Sequence, residues 1–182
     1  MSIEDDIALS RKRVDRNWPV VADHCPDRRL AHSSLQPVEG MNGNRALDLD
    51  RRYHIDSHAV AGGMWAPLST RFQDRRFAEH STITLRRTEV VHLRGMAADP
   101  GRLGATVHVQ MYGDDDGVEL VVIAELAPII RYLAEVEINY HHWLRAYDGT
   151  PFIALTCGQL SALEALVWRH WPNRPEQMGL FA

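Results

Sequence analysis

The sequence is poor in cysteine and lysine, with two cysteines and a single lysine, Lys12. Cys25 and Cys157 fit no metal-ligand spacing, so we expect each to be a buried free thiol. No apolar run is long enough to cross a membrane as a helix, and residues 1–13 are charged where a secretory signal would be apolar. These absences argue against a disulfide scaffold and a helical membrane protein, and we expect a cytoplasmic protein without membrane contact.

The motifs that mark common enzyme classes are also missing. The sequence has no G-x-S-x-G element, no phosphate-cradling glycine loop and no G-x-G-x-x-G fingerprint. The basic residues are almost all arginine, in doublets at 28–29, 51–52, 75–76 and 86–87 that have acids beside them. With a net charge of −4, the chain lacks the basic footprint of a nucleic-acid-binding domain. We therefore assign no catalytic residue and no cofactor, and we favour a protein that is not an enzyme.

The composition is that of a folded protein, and the clearest structural signal is in the middle of the chain. Of the 182 residues, 45% are apolar and 24% are charged, which is enough for one domain with a core. Residues 82–93 are rich in β-branched side chains and predict a strand. The segments 105–112 and 118–126 are strand-like and flank the turn-forming sequence GDDDG, so they predict an antiparallel hairpin.

Three segments have the apolar spacing of helices, namely 2–16, 129–147 and 157–171. The first should end at the Asn-Trp-Pro sequence that follows it, because proline interrupts a helix. The last should begin with a capping box in which Thr156 and Gln159 satisfy each other's backbone amides. We expect the tryptophans at helical spacing to pack in the core rather than stack on nucleic acid: Trp143, Trp168 and Trp171.

Together these patterns predict an α+β fold, with an antiparallel sheet of three or more strands covered by two C-terminal helices. We expect a single domain over residues 1–172 that contains an irregular loop at about 20–45. Residues 46–77 show no decisive pattern. Residues 173–182 follow the last predicted helix, and we expect them to form a flexible tail.

Histidine is frequent, with ten residues, and it is a common metal ligand and acid–base group. His54 and His58 are spaced four apart, so on a helix they would share a face. The zinc-protease motif requires Glu directly after the first His, and this sequence has Ile55 there. We therefore assign no metal ligand. A small metal-dependent hydrolase or nuclease that uses histidines near 54–58 is an alternative function.

The tail contains the sequence Gln177-Met178-Gly179-Leu180-Phe181. It resembles the pentapeptide by which many bacterial proteins dock on the DNA polymerase sliding clamp: Gln, Leu or Met, a small or acidic residue, Leu, then Leu or Phe. Gly179 departs from the commoner Ser or Asp at the least restrictive position. A chance match at a given position is expected about once in ten thousand positions or less.

The resemblance covers five residues and implies a partner, not a fold. It implies that Leu180 and Phe181 fill an apolar pocket, that Met178 lies at its margin and that Gln177 makes polar contacts that fix the register. The implied function is an accessory protein of bacterial or mobile-element DNA replication or repair, brought near DNA by the clamp. A phage or plasmid regulatory protein that binds only protein is a further alternative, and the tail could also pack on the protein's own body.

Overall fold

The computed structural model describes residues 3–38, 54–99, 101–102, 104–139, 142–146 and 149–172, and these form a mixed α+β structure. No helix within these ranges is long and apolar enough to span a membrane. The elements are α1 Ile3–His24, β1 Ser34–Pro37, β2 Ser57–Ala61, β3 Met64–Asp74, a 3-10 helix Arg75–His80, β4 Thr82–Arg86, α2 Arg87–Ala98, β5 Val107–Asp114, β6 Gly117–Glu125, α3 Leu126–Glu135, β7 Leu144–Arg145, β8 Pro151–Thr156, α4 Cys157–Ala162 and β9 Leu166–His170.

The strands form two sheets. Among the described residues, the larger sheet has six strands in the order β1-β2-β3-β5-β6-β9, in which β3 and β5 are parallel and the other pairs are antiparallel. The smaller sheet is antiparallel, with the order β4-β8-β7. The parallel pair arises because the chain leaves β3, forms the 3-10 helix, β4 and α2, and then returns as β5. The predicted hairpin is confirmed as β5 and β6, with Val109 opposite Ile123.

The six-strand sheet is covered on both faces. On one face α1 packs through Val14, Trp18 and Val21 against sheet residues that include Val109 and Ile123. On the other face, the smaller sheet and the helices α2 and α3 build a second core. Tyr112 of β5 crosses between the sheets, where its hydroxyl donates to the Thr82 carbonyl oxygen over 2.7 Å.

The position of β5 corrects one expectation. The alternation of this strand predicts that Val107, Val109 and Met111 are buried while His108 and Gln110 face solvent. The three apolar residues are buried, but His108 and Gln110 have no exposed surface. The reason is that β5 lies between β3 and β6 with a layer on each face of the sheet. Successive side chains of β5 therefore enter two different cores, and neither set faces solvent. The strand thus carries polar side chains into the space between the sheets.

Two predicted elements in the middle of the chain end earlier than expected. The predicted strand 82–93 stops at Arg86, where α2 begins. The predicted helix 129–147 is α3, which ends at Glu135 because the backbone becomes extended at Val136. Arg94 of α2 helps to fix that end, since its guanidinium donates to the carbonyl oxygens of Leu133 and Val136 over 2.7 and 2.5 Å. Tertiary contacts therefore outweigh the apolar spacing further along the chain.

The predicted helix 157–171 is divided between a short helix, Cys157–Ala162, and a strand, Leu166–His170. Its capping box between Thr156 and Gln159 is confirmed, with the backbone N–H of Gln159 donating to Thr156 Oγ1 over 3.2 Å. The helix ends at Ala162, and Glu164 then adopts a left-handed backbone conformation with φ of 56°. The chain continues as β9 beside β6. The two C-terminal helices are thus shorter than predicted, and β9 replaces the last part of the second one.

The N-terminal third contains more regular structure than the sequence indicated. The helix α1 continues through Pro19 to His24, because buried Trp18 and Val21 hold the turns on either side of that proline against the sheet. Strand β1 falls inside the predicted loop, and residues 39–45 of that loop lie outside the described residues. The segment 46–77 includes the β2–β3 hairpin, which turns at two glycines with positive φ.

Gly113 gives a test of this fold. A β-carbon at Gly113 would clash with the carbonyl oxygen of Gly117 across the hairpin and would lie 3.0 Å from Phe72 Cζ. We expect Gly113→Ala to lower the free energy of unfolding by about 1–3 kcal/mol, as overpacking does. The control is Gly158→Ala in α4, whose added carbon meets Thr156 Oγ1 at 3.8 Å and should stabilise by up to about 1 kcal/mol. Equal urea midpoints for the two variants would contradict the described hairpin.

Candidate functional site

The predicted partner-binding residues lie outside the described part of the chain: Gln177, Met178, Leu180 and Phe181. The structure does show where the chain approaches them. Strand β9 is at the edge of the six-strand sheet, and Trp171 directly after it is 9% exposed and belongs to the core between the sheets. Pro172 is the last described residue. The residues of the motif therefore follow a buried core residue, Trp171, in the chain.

The histidines of the alternative metal site are not on a helix. His58 lies in β2, and His54 lies just before that strand. The His54 ring centroid is 4.9 Å from that of His92, whereas the His58 ring is 5.6 Å from the ring of Trp65. The two side chains thus have different neighbours. Within the described ranges, no group of three or more His, Cys, Asp or Glu side chains is placed to hold a metal ion.

A buried group of polar side chains between the two sheets is the most distinctive site in the structure. We call it the inter-sheet polar cluster and define it by six residues. Three strands and one helix contribute: β3 and β5 from the larger sheet, β4 from the smaller sheet, and α2. The members are Ser69, Arg71, Thr84, Glu89, His108 and Gln110.

An ion pair between Arg71 and Glu89 lies at the centre of the cluster. Arg71 Nη2 is 2.9 Å from Glu89 Oε2, and the two side chains are 14% and 12% exposed. The other end of the guanidinium donates to the carbonyl and hydroxyl oxygens of Thr84 over 2.8 and 2.9 Å. The Glu89 carboxylate also accepts a hydrogen bond from the backbone N–H of Arg86, at the start of α2. One arginine of β3 thereby holds both β4 and the first turn of α2.

The charges of this pair are fixed by their surroundings. Burial by itself raises the pKa of Glu89, but the charge of Arg71, with smaller contributions from His108 and the Arg86 amide, holds it below its ordinary value. Glu89 is therefore a carboxylate at neutral pH. A buried carboxylate that is paired and hydrogen-bonded is an electrostatic support, not a general acid at pH 7.

His108 is buried beside the ion pair and is neutral at pH 7. Its pKa is lowered from 6.5 to about 4, chiefly by burial and to a smaller extent by the charge of Arg71, while the Glu89 carboxylate and a hydrogen bond with Gln110 act in the opposite direction. Its ring nitrogens are 3.2 Å from Ser69 Oγ and 3.4 Å from Gln110 Oε1. An imidazole with this pKa is a weak base, so the Ser69–His108 contact is not an activated nucleophile.

A small cavity adjoins the cluster on the side of α2. Its volume, measured as the space open to the centre of a water-sized sphere, is about 10 Å³, which is room for about one water molecule. In this form it has no space for an organic substrate. Its lining combines polar and apolar side chains: His54, Ser69, Leu85, Glu89, His92, Leu93, Ala105, His108 and Leu126.

The remaining expectations about single residues have clear outcomes. Cys25 and Cys157 are buried free thiols, as predicted. Trp143 and Trp171 belong to or pack against the core between the sheets, and Trp168 packs against the core beneath α1. Core packing of the tryptophans is therefore confirmed, although the helical spacing from which it was inferred is wrong for a strand residue such as Trp168.

Sequence reasoning missed the inter-sheet polar cluster, although one signal pointed to it. Residues 57–70 contain no charged side chain, and Arg71 interrupts this uncharged segment. An arginine directly after a long uncharged segment indicates a buried cation that needs an acidic partner. Nothing in the sequence identifies that partner as Glu89, because the two residues are 18 positions apart.

Comparison with known proteins gives no relative: no family model, no curated protein and no solved structure matches the chain.

From the burial of the ion pair we expect its variants to differ in their free energies of unfolding. Arg71→Met should lower the free energy of unfolding by about 3–5 kcal/mol, because it leaves the Glu89 carboxylate buried without its partner. The double variant Arg71→Met/Glu89→Leu should lose less of the free energy of unfolding than the single variant, since no unpaired charge remains. The exposed pair of Arg13 and Asp115 provides a control, because Asp115 is 78% exposed. Asp115→Asn should cost at most about 1 kcal/mol.

Urea denaturation of the three variants measures these differences. A double variant that is less stable than Arg71→Met would contradict the assignment of a charge-dependent contact, and would indicate that the two side chains act mainly through their packing.

Proposed function

We propose that this protein is an accessory factor of bacterial or mobile-element DNA replication or repair, tethered to the DNA polymerase sliding clamp through residues 177–181. The observation that carries the proposal is the sequence Gln-Met-Gly-Leu-Phe, which resembles the clamp-docking pentapeptide at every restrictive position. A cytoplasmic location is part of the proposal, since the clamp acts there.

The chemistry of the segment fits recognition by a few anchors. Short peptides gain most of their affinity from side chains that enter apolar pockets, and Leu180 and Phe181 are suitable anchors. Gln177 supplies both a hydrogen-bond donor and an acceptor for fixing the register. Pro172 and Pro175 restrict the segment before the motif and so reduce the entropy lost on binding. We expect an affinity of about micromolar Kd.

The packed body supports the proposal by giving the tether a fixed origin. Trp171 is buried directly after the edge strand β9, so the position of the chain is fixed up to that point. Four residues lie between Pro172 and Gln177. An extended chain spans at most about 18 Å from the first of these two residues to the second. The body would therefore remain close to the clamp and to the DNA that the clamp encircles, without needing a basic surface of its own.

The proposal predicts a specific effect of two substitutions. In Leu180→Ala/Phe181→Ala, clamp binding should fall by at least about 30-fold, because truncation of a buried anchor commonly costs about 2 kcal/mol or more. The melting temperature should be nearly unchanged, because substitutions of exposed side chains shift stability by only about 0.5 kcal/mol. Calorimetry or fluorescence anisotropy with purified clamp, together with thermal melting, measures both effects.

The matched control is Asn173→Ala/Arg174→Ala, which alters the same tail outside the motif and should retain binding. If Leu180 and Phe181 instead pack on the body, their replacement should lower stability by several kcal/mol, on the scale of about 2–5 for each large buried side chain. A large drop in melting temperature, with no binding of the clamp by the unmodified protein, would refute the proposed function.

A further inference from the structure

His108 is a fully buried imidazole beside the ion pair of Arg71 and Glu89, and it shares a small cavity with side chains of α2. We propose that acidification releases the first turn of α2 from the inter-sheet polar cluster, with His108 as the group that takes up the proton. This inference concerns the body of the protein and is independent of the proposed tether.

The groups around His108 come from every layer packed against it. Strand β3 contributes Ser69 and Arg71, β5 contributes Gln110, α2 contributes Glu89 and His92, and His54 approaches from the segment before β2. Contacts, electrostatic coupling or a shared cavity join these groups to His108. Among them, Arg71 is the fixed cation and Glu89 is the only carboxylate.

Protonation of His108 would unbalance this arrangement. The cluster would then hold two cations and one carboxylate in a buried space. The Glu89 carboxylate and Gln110 favour an imidazolium, but burial and the charge of Arg71 oppose it more strongly. Glu89 is already shared between Arg71 and the backbone amide of Arg86. One carboxylate cannot neutralise both Arg71 and a cation on His108, so a buried positive charge would remain uncompensated.

The element that moves should be α2 and not the strand that carries His108. Strand β5 is paired with β3 on one side and β6 on the other, and both neighbours are long. In contrast, α2 lies outside the sheet and packs on α3, β4 and β8. The cavity between α2 and the sheet is lined by His108 and by Glu89. Displacement of the first turn of α2 would widen this cavity and hydrate the imidazolium.

The direction of the effect follows from linkage. In the closed state burial lowers the pKa of His108 from 6.5 to about 4, so the open state binds the proton more tightly. Opening therefore becomes more favourable as the pH falls below 6.5, and the effect levels off below about 4. Between pH 7.5 and pH 5.0 the opening constant should rise by about 30-fold. The lowered pKa of Glu89 acts below its ordinary value of 4.5, outside this interval.

Hydrogen exchange of single amides, followed by NMR and corrected for the intrinsic pH dependence, tests the proposal. In the unmodified protein the opening constant for amides of Val90 and Leu93 in α2 should rise by about 30-fold from pH 7.5 to pH 5.0. The opening constant for the amide of Val21 in α1 should rise less, because α1 packs on the opposite face of the sheet. In His108→Gln the rise in α2 should disappear.

Two other histidines require controls, because burial also lowers the pKa of His58 and of His170. The variants His58→Gln and His170→Gln should retain the rise in α2. If His108→Gln does not fold, the ring signals of His108 in the unmodified protein provide a second measurement, and they should show the neutral form down to about pH 5. Exchange in α2 that is independent of pH, or a rise of equal size in α1 and α2, would overturn the proposal.

Discussion

The ion pair between Arg71 and Glu89 is the interaction on which the arrangement of the two sheets depends. Arg71 belongs to the six-strand sheet, while its partners belong to the elements that cover that sheet, Thr84 in β4 and Glu89 in α2. A buried guanidinium without an acidic partner would carry a large desolvation penalty. The charge therefore requires α2 to begin where Glu89 can reach it. This requirement explains why a segment rich in β-branched residues changes from strand to helix at Arg87.

The other polar contacts between the sheets are hydrogen bonds, which restrict how the two layers can be placed in an otherwise apolar core. Thr84 contacts Arg71 and Gln110, and Tyr112 contacts Thr82, so two positions of β4 are tied to the larger sheet. Apolar contacts alone tolerate small shifts of one layer over another, whereas a hydrogen-bonded network of buried groups is satisfied in few arrangements. The apolar cores supply most of the burial, and the inter-sheet polar cluster sets the relative position of the layers.

The sequence predicted those parts whose causes are local. The β5–β6 hairpin follows from alternation around a five-residue turn, and the capping box of α4 follows from Thr156 and Gln159. It did not predict β9 or the end of α3, because apolar residues in these segments fit helical spacing while distant contacts decide their structure, such as that of Arg94 with Leu133. The inter-sheet polar cluster was missed for the same reason. The tail is the reverse case, since the proposal for its partner depends on five neighbouring residues alone.

The body and the proposed tether have different physical requirements. The inter-sheet polar cluster is closed and its charges are compensated, so its contribution is to the stability and position of the layers. Clamp docking would require only that the motif be joined to the body, and the chain is held in the body at buried Trp171, six positions before Gln177. Because no member of the cluster lies in β9 or beyond, a substitution such as Arg71→Met should change the stability of the body while leaving the affinity of the folded protein for the clamp unaltered. Stability and tethering would then be separable properties of one chain, because each depends on contacts that the other does not use.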